Sequence, residues 1–280
     1  MKKLQPEGSR RRVEFDGVPV FLAHPDELPM RWIGQPELIL QLHACWRLID
    51  ERDLPLSPRI IGKPGVGKTT LAYSAAKMLE REVYIFQATM DTRPEDLLIT
   101  PVVAGEKKIQ YVASPIVTAM IVGGVALLDE GNRMSEKSWA SLAPLLDTRR
   151  YIESIVAGIK VKAHPDFRMV ATMNDDASTF EIPEYIHSRL QPQIYIDFPE
   201  KDEELAILRE NLPFVDEKIL AYIADFLERC HVAEEPFTVR DGINVGRYVA
   251  KRLSFGPADV THLIRESIMK VLGENALVYL

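Results

Sequence analysis

The sequence predicts an α/β fold, a parallel sheet sandwiched by helices, with an all-α domain after it. Three observations carry that prediction. Between about residue 30 and Pro199, helical patterns alternate with short apolar runs, as expected of strands buried on both faces. One joint between such a strand and a helix is the loop GKPGVGKT, residues 62–69. From Glu200 onward only helical periodicity remains. The expected domains are an N-terminal arm or short strand pair over 1–30, an α/β domain over 31–200 and a helical domain over 201–280.

Each element follows from its residues. Residues 36–51 place Leu38, Leu42, Ala44, Trp46 and Ile49 along one helical stripe. Arg59, Ile60 and Ile61 read as the end of a buried strand. From Thr70 a helix sets Leu71, Ala75, Met78 and Leu79 on one face. The runs at 83–86, 125–128 and 169–172 are central strands, and 195–198 is a candidate last strand. Two stretches alternate around a glycine, 100–113 at Gly105 and 151–163 at Gly158, and fit either β-hairpins or edge strands. Helical patterns then cover 201–211, 216–230, 240–253 and 258–272, broken at Pro213, Pro236 and Pro257.

Composition sets outer bounds. The chain of 280 residues is 46% hydrophobic and 27% charged, as in ordinary globular proteins. A formal net charge of −7 counts against non-specific adhesion to nucleic acid or anionic lipid. Arg10, Arg11 and Arg12 form a local basic cluster, read as a solvated arm. Cys45 and Cys230 lack metal-type spacing and read as buried thiols in a reducing compartment. The start MKKLQPEGSRRR has no apolar core for a signal peptide, and the apolar run 116–128 is too short to span a bilayer. A cytoplasmic protein is expected.

The loop carries the chemistry. GKPGVGKT matches G-x-x-x-x-G-K-[ST], which wraps the phosphates of ATP or GTP. Its glycines let backbone N–H groups turn inward on an anion, and the following helix adds its positive end. The candidate nucleotide contacts are Gly62, Lys63, Pro64, Gly65, Val66, Gly67, Lys68, Thr69 and Thr70. Lys68 would meet the β- and γ-phosphates, and the Thr69 hydroxyl would meet Mg²⁺. Asp129 and Glu130 end a buried strand about sixty residues later. Asp129 suits Mg²⁺ opposite Thr69, and Glu130 suits polarising the attacking water. A kinase has less need of that second acid, and no Asn-Lys-x-Asp guanine reader is present. The pair taken alone would also serve as a helix cap.

Three further residues fit the same reaction. Asn174 follows a third strand, where its amide could bind both the water and a γ-phosphate oxygen. Its polar surroundings also suit an ordinary loop asparagine. Arg189 closes a helix before the last strand, placed to reach a neighbouring subunit's phosphate or simply the helix dipole. Arg240 opens a helix of the second domain, either as a reporter of the phosphates or as a solvated side chain.

With these elements in order, the chain resembles an AAA+ ATPase of the MoxR branch, which includes the CbbQ, NorQ and GvpN proteins and is related to midasin. The resemblance covers about residues 30–255 and rests on GKPGVGKT, LLDEGNRM at 127–134, AHPDFRMVATMN at 163–174 and the Arg189 segment. The family's Asp-Glu-x-Asn-Arg pattern stands here as Asp129, Glu130, Asn132 and Arg133, and its entry to the lid as Thr238, Val239 and Arg240. The resemblance implies ATP and Mg²⁺ as ligands, a homo-oligomeric ring (usually a hexamer) and hairpin insertions acting on a partner. It also implies a chaperone-like role in remodelling or metal loading, often with a von Willebrand factor A domain adaptor. Gly131 and Lys63 depart from the family's usual residues, and His187-Ser-Arg-Leu replaces the usual Leu-Asp-Arg-Phe. Arg149 and Arg150 are the alternatives to Arg189 as the arginine finger, the guanidinium that completes a neighbour's site.

The leading expectation is therefore an ATP hydrolase that remodels a protein. A nucleic-acid motor or loader on the same fold is the first rival, opposed by the acidic balance and the lack of an aromatic-basic stripe. A nucleotide-gated interaction module with little turnover is the second, opposed by Glu130 and Asn174.

Overall fold

The structure is a computed structural model describing residues 11–15, 17–104, 108–175 and 181–280. Arg10, the Gly105 turn and residues 176–179 of the polar run after Asn174 lie outside the described residues. The chain divides into two compact units. The first comprises Met1–Arg31, Glu37–Ile61 and Thr69–Tyr195, and the second Trp32–Pro36, Gly62–Lys68 and Ile196–Leu280.

The first unit is built on a five-stranded sheet. Its strands are β3 (Arg59–Gly62), β4 (Val83–Gln87), β7 (Val125–Asp129), β10 (Arg168–Asn174) and β11 (Gln193–Tyr195), in the order β11-β3-β10-β7-β4. The pairs β11–β3, β10–β7 and β4–β7 are parallel, with Met169 opposite Ala126 and Tyr84 opposite the same residue from the other side. Ala126, Leu127, Leu128, Val170 and Ala171 are fully buried, which is why these strands read as unbroken apolar runs. Helices α1 (Pro36–Trp46), α2 (Lys68–Met78), α3 (Pro115–Val122), α4 (Glu136–Leu142) and α5 (Glu184–His187) accompany the sheet. The apolar run 116–128 is thus split into a helix and a strand. Ser114 caps α3 by accepting from the Val117 N–H at 3.1 Å, and Pro115 occupies its first turn.

A second sheet joins the N-terminal strand pair β1 (Arg12–Phe15) and β2 (Val18–Phe21) to the pair β5 (Ile99–Ala104) and β6 (Lys108–Ala113). β5 and β6 run antiparallel, and β2 lies parallel to β6. β8 (Tyr151–Ser154) and β9 (Ile159–Lys162) form a separate antiparallel pair.

Some sequence expectations are corrected. Helix α1 stops at Trp46 rather than residue 51, and Ile49 is 81% exposed. Beyond Trp46, carboxylates take the backbone donors: Asp53 accepts from Ile49 N–H and Asp50 from Arg52 N–H. Met78 and Leu79 are exposed, because α2 ends there and Glu80 turns the chain with a φ of 55°. The last strand is Gln193–Tyr195, ahead of the expected 195–198. Phe198 instead stacks on His231 within the second unit.

In the second unit, helices α6 (Lys201–Asn211), α7 (Glu217–Val232), α8 (Val239–Leu253) and α9 (Val260–Leu272) share one apolar core. On α8 the buried positions are Val239, Gly242, Val245, Gly246 and Val249, a spacing of three and four residues. Asp216 and Asp259 cap α7 and α9 by accepting from the N–H groups of Lys218 and His262. Both cysteines are buried and free, and burial pushes the Cys45 thiol up to about 11.

Candidate functional site

In the first unit, the carboxyl ends of β7 and β10 and the first turn of α2 bring polar side chains together. Thr69 Oγ1 lies 2.9 and 3.0 Å from the two oxygens of Asp129 and donates to that carboxylate. A second hydroxyl, Thr172 of β10, donates to Asp129 Oδ1 and accepts from the Glu130 N–H at 3.0 Å. Thr172 is fully buried and escaped the sequence reading. Its position two residues before Asn174 on one strand, hence on the same face, was the available signal.

Glu130 turns sharply out of β7 with a φ of 54°, a left-handed conformation uncommon for a residue with a side chain. Both of its carboxylate oxygens have partners. Oε1 accepts from Asn174 Nδ2 at 3.3 Å, and Oε2 stands 2.6 Å from Arg133 Nε. Asn174 is fixed in turn by Asn132, whose Nδ2 donates to its carbonyl at 2.8 Å and whose Oδ1 accepts from its N–H at 3.3 Å. The site therefore offers one hydroxyl–carboxylate pair and one carboxylate–amide pair, side by side in sequence at 129 and 130.

Arg189 stands just past α5. It donates to the Tyr185 carbonyl, and its Nη2 lies 3.5 Å from Asp147 Oδ2. The same carboxylate holds Arg149 at 2.7 Å, so Asp147 tethers two of the candidate fingers. Hydrogen bonding from Arg149, with the charge of Arg189 behind it, draws the Asp147 carboxyl below its usual range. Arg150 is turned inward, donating to the Phe167 carbonyl at 3.0 Å with its guanidinium 5.6 Å from the Phe167 ring. Among the described residues, none of these arginines hydrogen-bonds or ion-pairs with Asp129, Glu130 or Asn174. The Thr70 hydroxyl makes a weak 3.9 Å contact with Met30 Sδ.

The glycine loop is ordered within the second unit. Gly65 and Gly67 have φ of 89° and 97°, which residues with a Cβ rarely adopt. A Cβ on Gly65 would lie 2.6 Å from Thr238 Oγ1, and one on Gly67 would lie 3.1 Å from the Trp32 ring. Lys68 is buried and donates to the carbonyls of Gly62 at 2.8 Å and Lys63 at 2.7 Å. Lys63 Nζ sits 4.5 Å over the Phe198 ring. Val66 is buried and Pro64 exposed. Arg240 is exposed in the first turn of α8, beside Thr238, whose hydroxyl and N–H both donate to Asp241.

Among the described residues, no group of three or more His, Cys, Asp or Glu side chains has metal-binding geometry. No described helix is long and apolar enough to cross a membrane.

Comparison with known proteins agrees with this architecture. Residues 59–190 match the AAA domain, dynein-related subfamily. An uncharacterized protein of Staphylococcus aureus strain NCTC 8325 is 27% identical over 181 residues, covering 63% of this chain and 68% of that one. The Thermotoga maritima RuvB Holliday junction branch migration motor superposes with a TM-score of 0.58 at 18% identity, covering 88% of this chain and 72% of that one. At that identity the likeness concerns the fold. Residues 59–190 are thus similar to an AAA domain, and the fold, a parallel sheet flanked by helices with further helices at the C-terminal end, is similar to that of the RuvB motor.

Proposed function

We propose that this AAA-domain chain is a MoxR-type ATPase that hydrolyses Mg-ATP in a homo-oligomeric ring, a hexamer by resemblance, to remodel, activate or metal-load a partner protein. A von Willebrand factor A domain protein is the adaptor class that goes with this reading. One observation carries it: Thr69 meets Asp129 at 2.9 Å while the adjacent Glu130 meets Asn174 at 3.3 Å. A hydroxyl and a carboxylate for a metal, next to a carboxylate and an amide for a water, is what hydrolysis of a phosphoanhydride needs.

The residues present fit both ligands. Thr69 and Asp129 are hard oxygen donors, and Mg²⁺ typically takes one or two protein oxygens and leaves the rest to phosphates and water. The absence of a three-carboxylate cage among the described residues suits that chemistry. The loop from Gly62 to Thr69 suits phosphates, because Gly65 and Gly67 take φ of 89° and 97°, the positive values by which such a loop turns N–H groups on an anion. Bound Mg²⁺ would supply charge neutralisation at the β- and γ-phosphate oxygens.

This chain's own groups then divide the work. Lys68 would leave the Gly62 and Lys63 carbonyls and donate to phosphate oxygens, stabilising the bound nucleotide. Thr172 would keep the Asp129 carboxylate oriented. Glu130 would accept a proton from the attacking water, and Asn174 would hold that water and a γ-phosphate oxygen in register. Arg189, released from Asp147, would add a guanidinium to a neighbour's site, and Arg240 would report the phosphates to α8.

Steady-state phosphate release from Mg-ATP, compared between the native chain and Glu130→Gln, tests the reading. Turnover in the native chain, and its loss in a variant that still binds ATP, is the expected result. Equal release from both would remove the assignment. A pull-down with Glu130→Gln in ATP identifies the partner.

A further inference from the structure

We propose that the second unit holds a binding site for a guanidinium-type organic cation, with Glu204 of α6 as its counter-ion and the Phe198–His231 ring pair as its wall. This does not rest on ATP hydrolysis. The site is a cavity of about 650 Å³ whose charged lining is Asp197, Glu200, Asp202, Glu204 and Glu228 against Lys201. Lys201 is already engaged, its Nζ standing 2.6 Å from Asp225 and 2.9 Å from Glu228.

Glu204 is the decisive residue. It is 0% exposed, and neither carboxylate oxygen has a hydrogen-bond partner among the described residues. Native proteins rarely leave a buried carboxyl without a partner, since its desolvation goes uncompensated. His231 does not supply one. Its Nε2 lies 2.7 Å from the Phe237 carbonyl, which only accepts, so Nε2 carries the proton. In the neutral ring Nδ1 is then an acceptor, and it stands 3.7 Å from Glu204 Oε1. Burial holds His231 in that neutral form. Once the Glu204 carboxyl is ionised, it and Nδ1 are two acceptors facing each other at 3.7 Å with no donor between them.

A guanidinium matches this gap better than the other cations. Its planar fork of N–H groups can serve a carboxylate and an imidazole nitrogen together, whereas an ammonium is a single point charge. Phe198 and His231 are stacked at 3.8 Å with 9° between their planes. A metal ion would need a third ligand of the His, Cys, Asp or Glu class, and no such set exists among the described residues.

Binding should be linked to a proton. Burial, with the charge of Glu228 added, pushes the Glu204 carboxyl up to about 8. It is faced by His231 and Glu228 from α7, and by Lys201 and Asp202 on its own helix. Asp197 lies on the preceding segment, and Lys63 on the far side of Phe198. Below that pH a cation must expel the proton, so affinity should rise about tenfold per pH unit up to roughly pH 8 and then level.

Agmatine, a free alkylguanidine, titrated calorimetrically into the full chain between pH 6.5 and 9 tests this. Saturable binding with that slope, weakened at least tenfold in Glu204→Gln, is expected. Phe198→Leu keeps the carboxyl and removes the ring that His231 stacks on, and should weaken binding several-fold with the pH slope intact. Sedimentation separates the two sources of the group. Agmatine that disperses an oligomer marks an arginine of a second copy as the natural occupant, and agmatine that leaves assembly unchanged marks a free cation. No binding at pH 9, a pH-independent affinity, or equal affinity in both variants and the native chain would overturn the proposal.

Discussion

Arg133 Nε stands 2.6 Å from Glu130 Oε2, three residues along a single tight turn, while Asn174 occupies the other carboxylate oxygen. Glu130 is thereby held by both oxygens, so a water bound to it shares a carboxylate oxygen with one of these partners. The Arg133 contact is an ion pair rather than a linear hydrogen bond, because Nε has no partner of hydrogen-bond geometry.

Replacing Arg133 should therefore release the carboxylate. Arg133→Gln is expected to raise basal kcat roughly fivefold, the rate equivalent of a half-exposed ion pair of about 1 kcal/mol, with KM for ATP unchanged. Arg133→Lys, which keeps the charge, should stay near the native rate. A fall in kcat for Arg133→Gln would show that the pair positions Glu130 for the reaction instead.

Thr172 links the two acids, donating to Asp129 and accepting from the Glu130 backbone. Thr172→Val keeps the branched shape that suits a buried strand but removes both hydrogen bonds. Each group left unpaired costs about 1–3 kcal/mol. The expected outcome is a kcat lowered by roughly 10- to 100-fold with ATP binding retained. A variant as active as the native chain would mean that Asp129 needs no help from β10.

A shared active site predicts complementation. Arg189→Ala should bind ATP yet hydrolyse it poorly, whereas Lys68→Ala should lose binding, because Lys68 acts on charge present in the ground state. Mixed, the two should recover part of the activity, since a Lys68→Ala subunit still presents Arg189 to an intact neighbour. Activity per subunit should also rise with protein concentration. Full activity of Arg189→Ala, flat across the range where assemblies dissociate, would leave each subunit self-sufficient.

Glu204 should make stability depend on pH. Its native carboxyl is raised to about 8, so between the ordinary carboxyl range and pH 8 the unfolded chain holds fewer protons than the folded one. Stability contributed at this position is therefore present at low pH and lost as pH rises toward 8. Thermal melting should show Glu204→Gln gaining more over the native chain at pH 8 than at pH 5. An equal difference at both values would mean that Glu204 finds a partner in solution.

The alternation of apolar runs with helical patterns was enough to predict the parallel sheet and the C-terminal helices, because burial on both faces removes polar residues from a strand. Asp129 and Glu130 were legible for a related reason: charge at the end of such a run stands out. Helix ends were less legible. The stop at Trp46 depends on Asp50 and Asp53 taking backbone donors from an apolar-looking continuation.

The glycine loop, the two strand-end carboxylates and the amide at 174 can be read from the order of residues alone, since each is a local pattern of residue types. Their surroundings depend on packing. Thr172 reaches Asp129, and Arg133 reaches Glu130, through side-chain directions set by strand pairing and by a left-handed backbone turn. The grouping of the loop Gly62–Lys68 with Trp32, Phe198 and Thr238 is likewise invisible in the chain order. Gly65 and Gly67, without a Cβ, let Thr238 and Trp32 approach the backbone, and Lys63 reaches Phe198. Nor does any local pattern mark Glu204, whose place among helical acids looks solvated until the packing of α6 against α7 withdraws it from water.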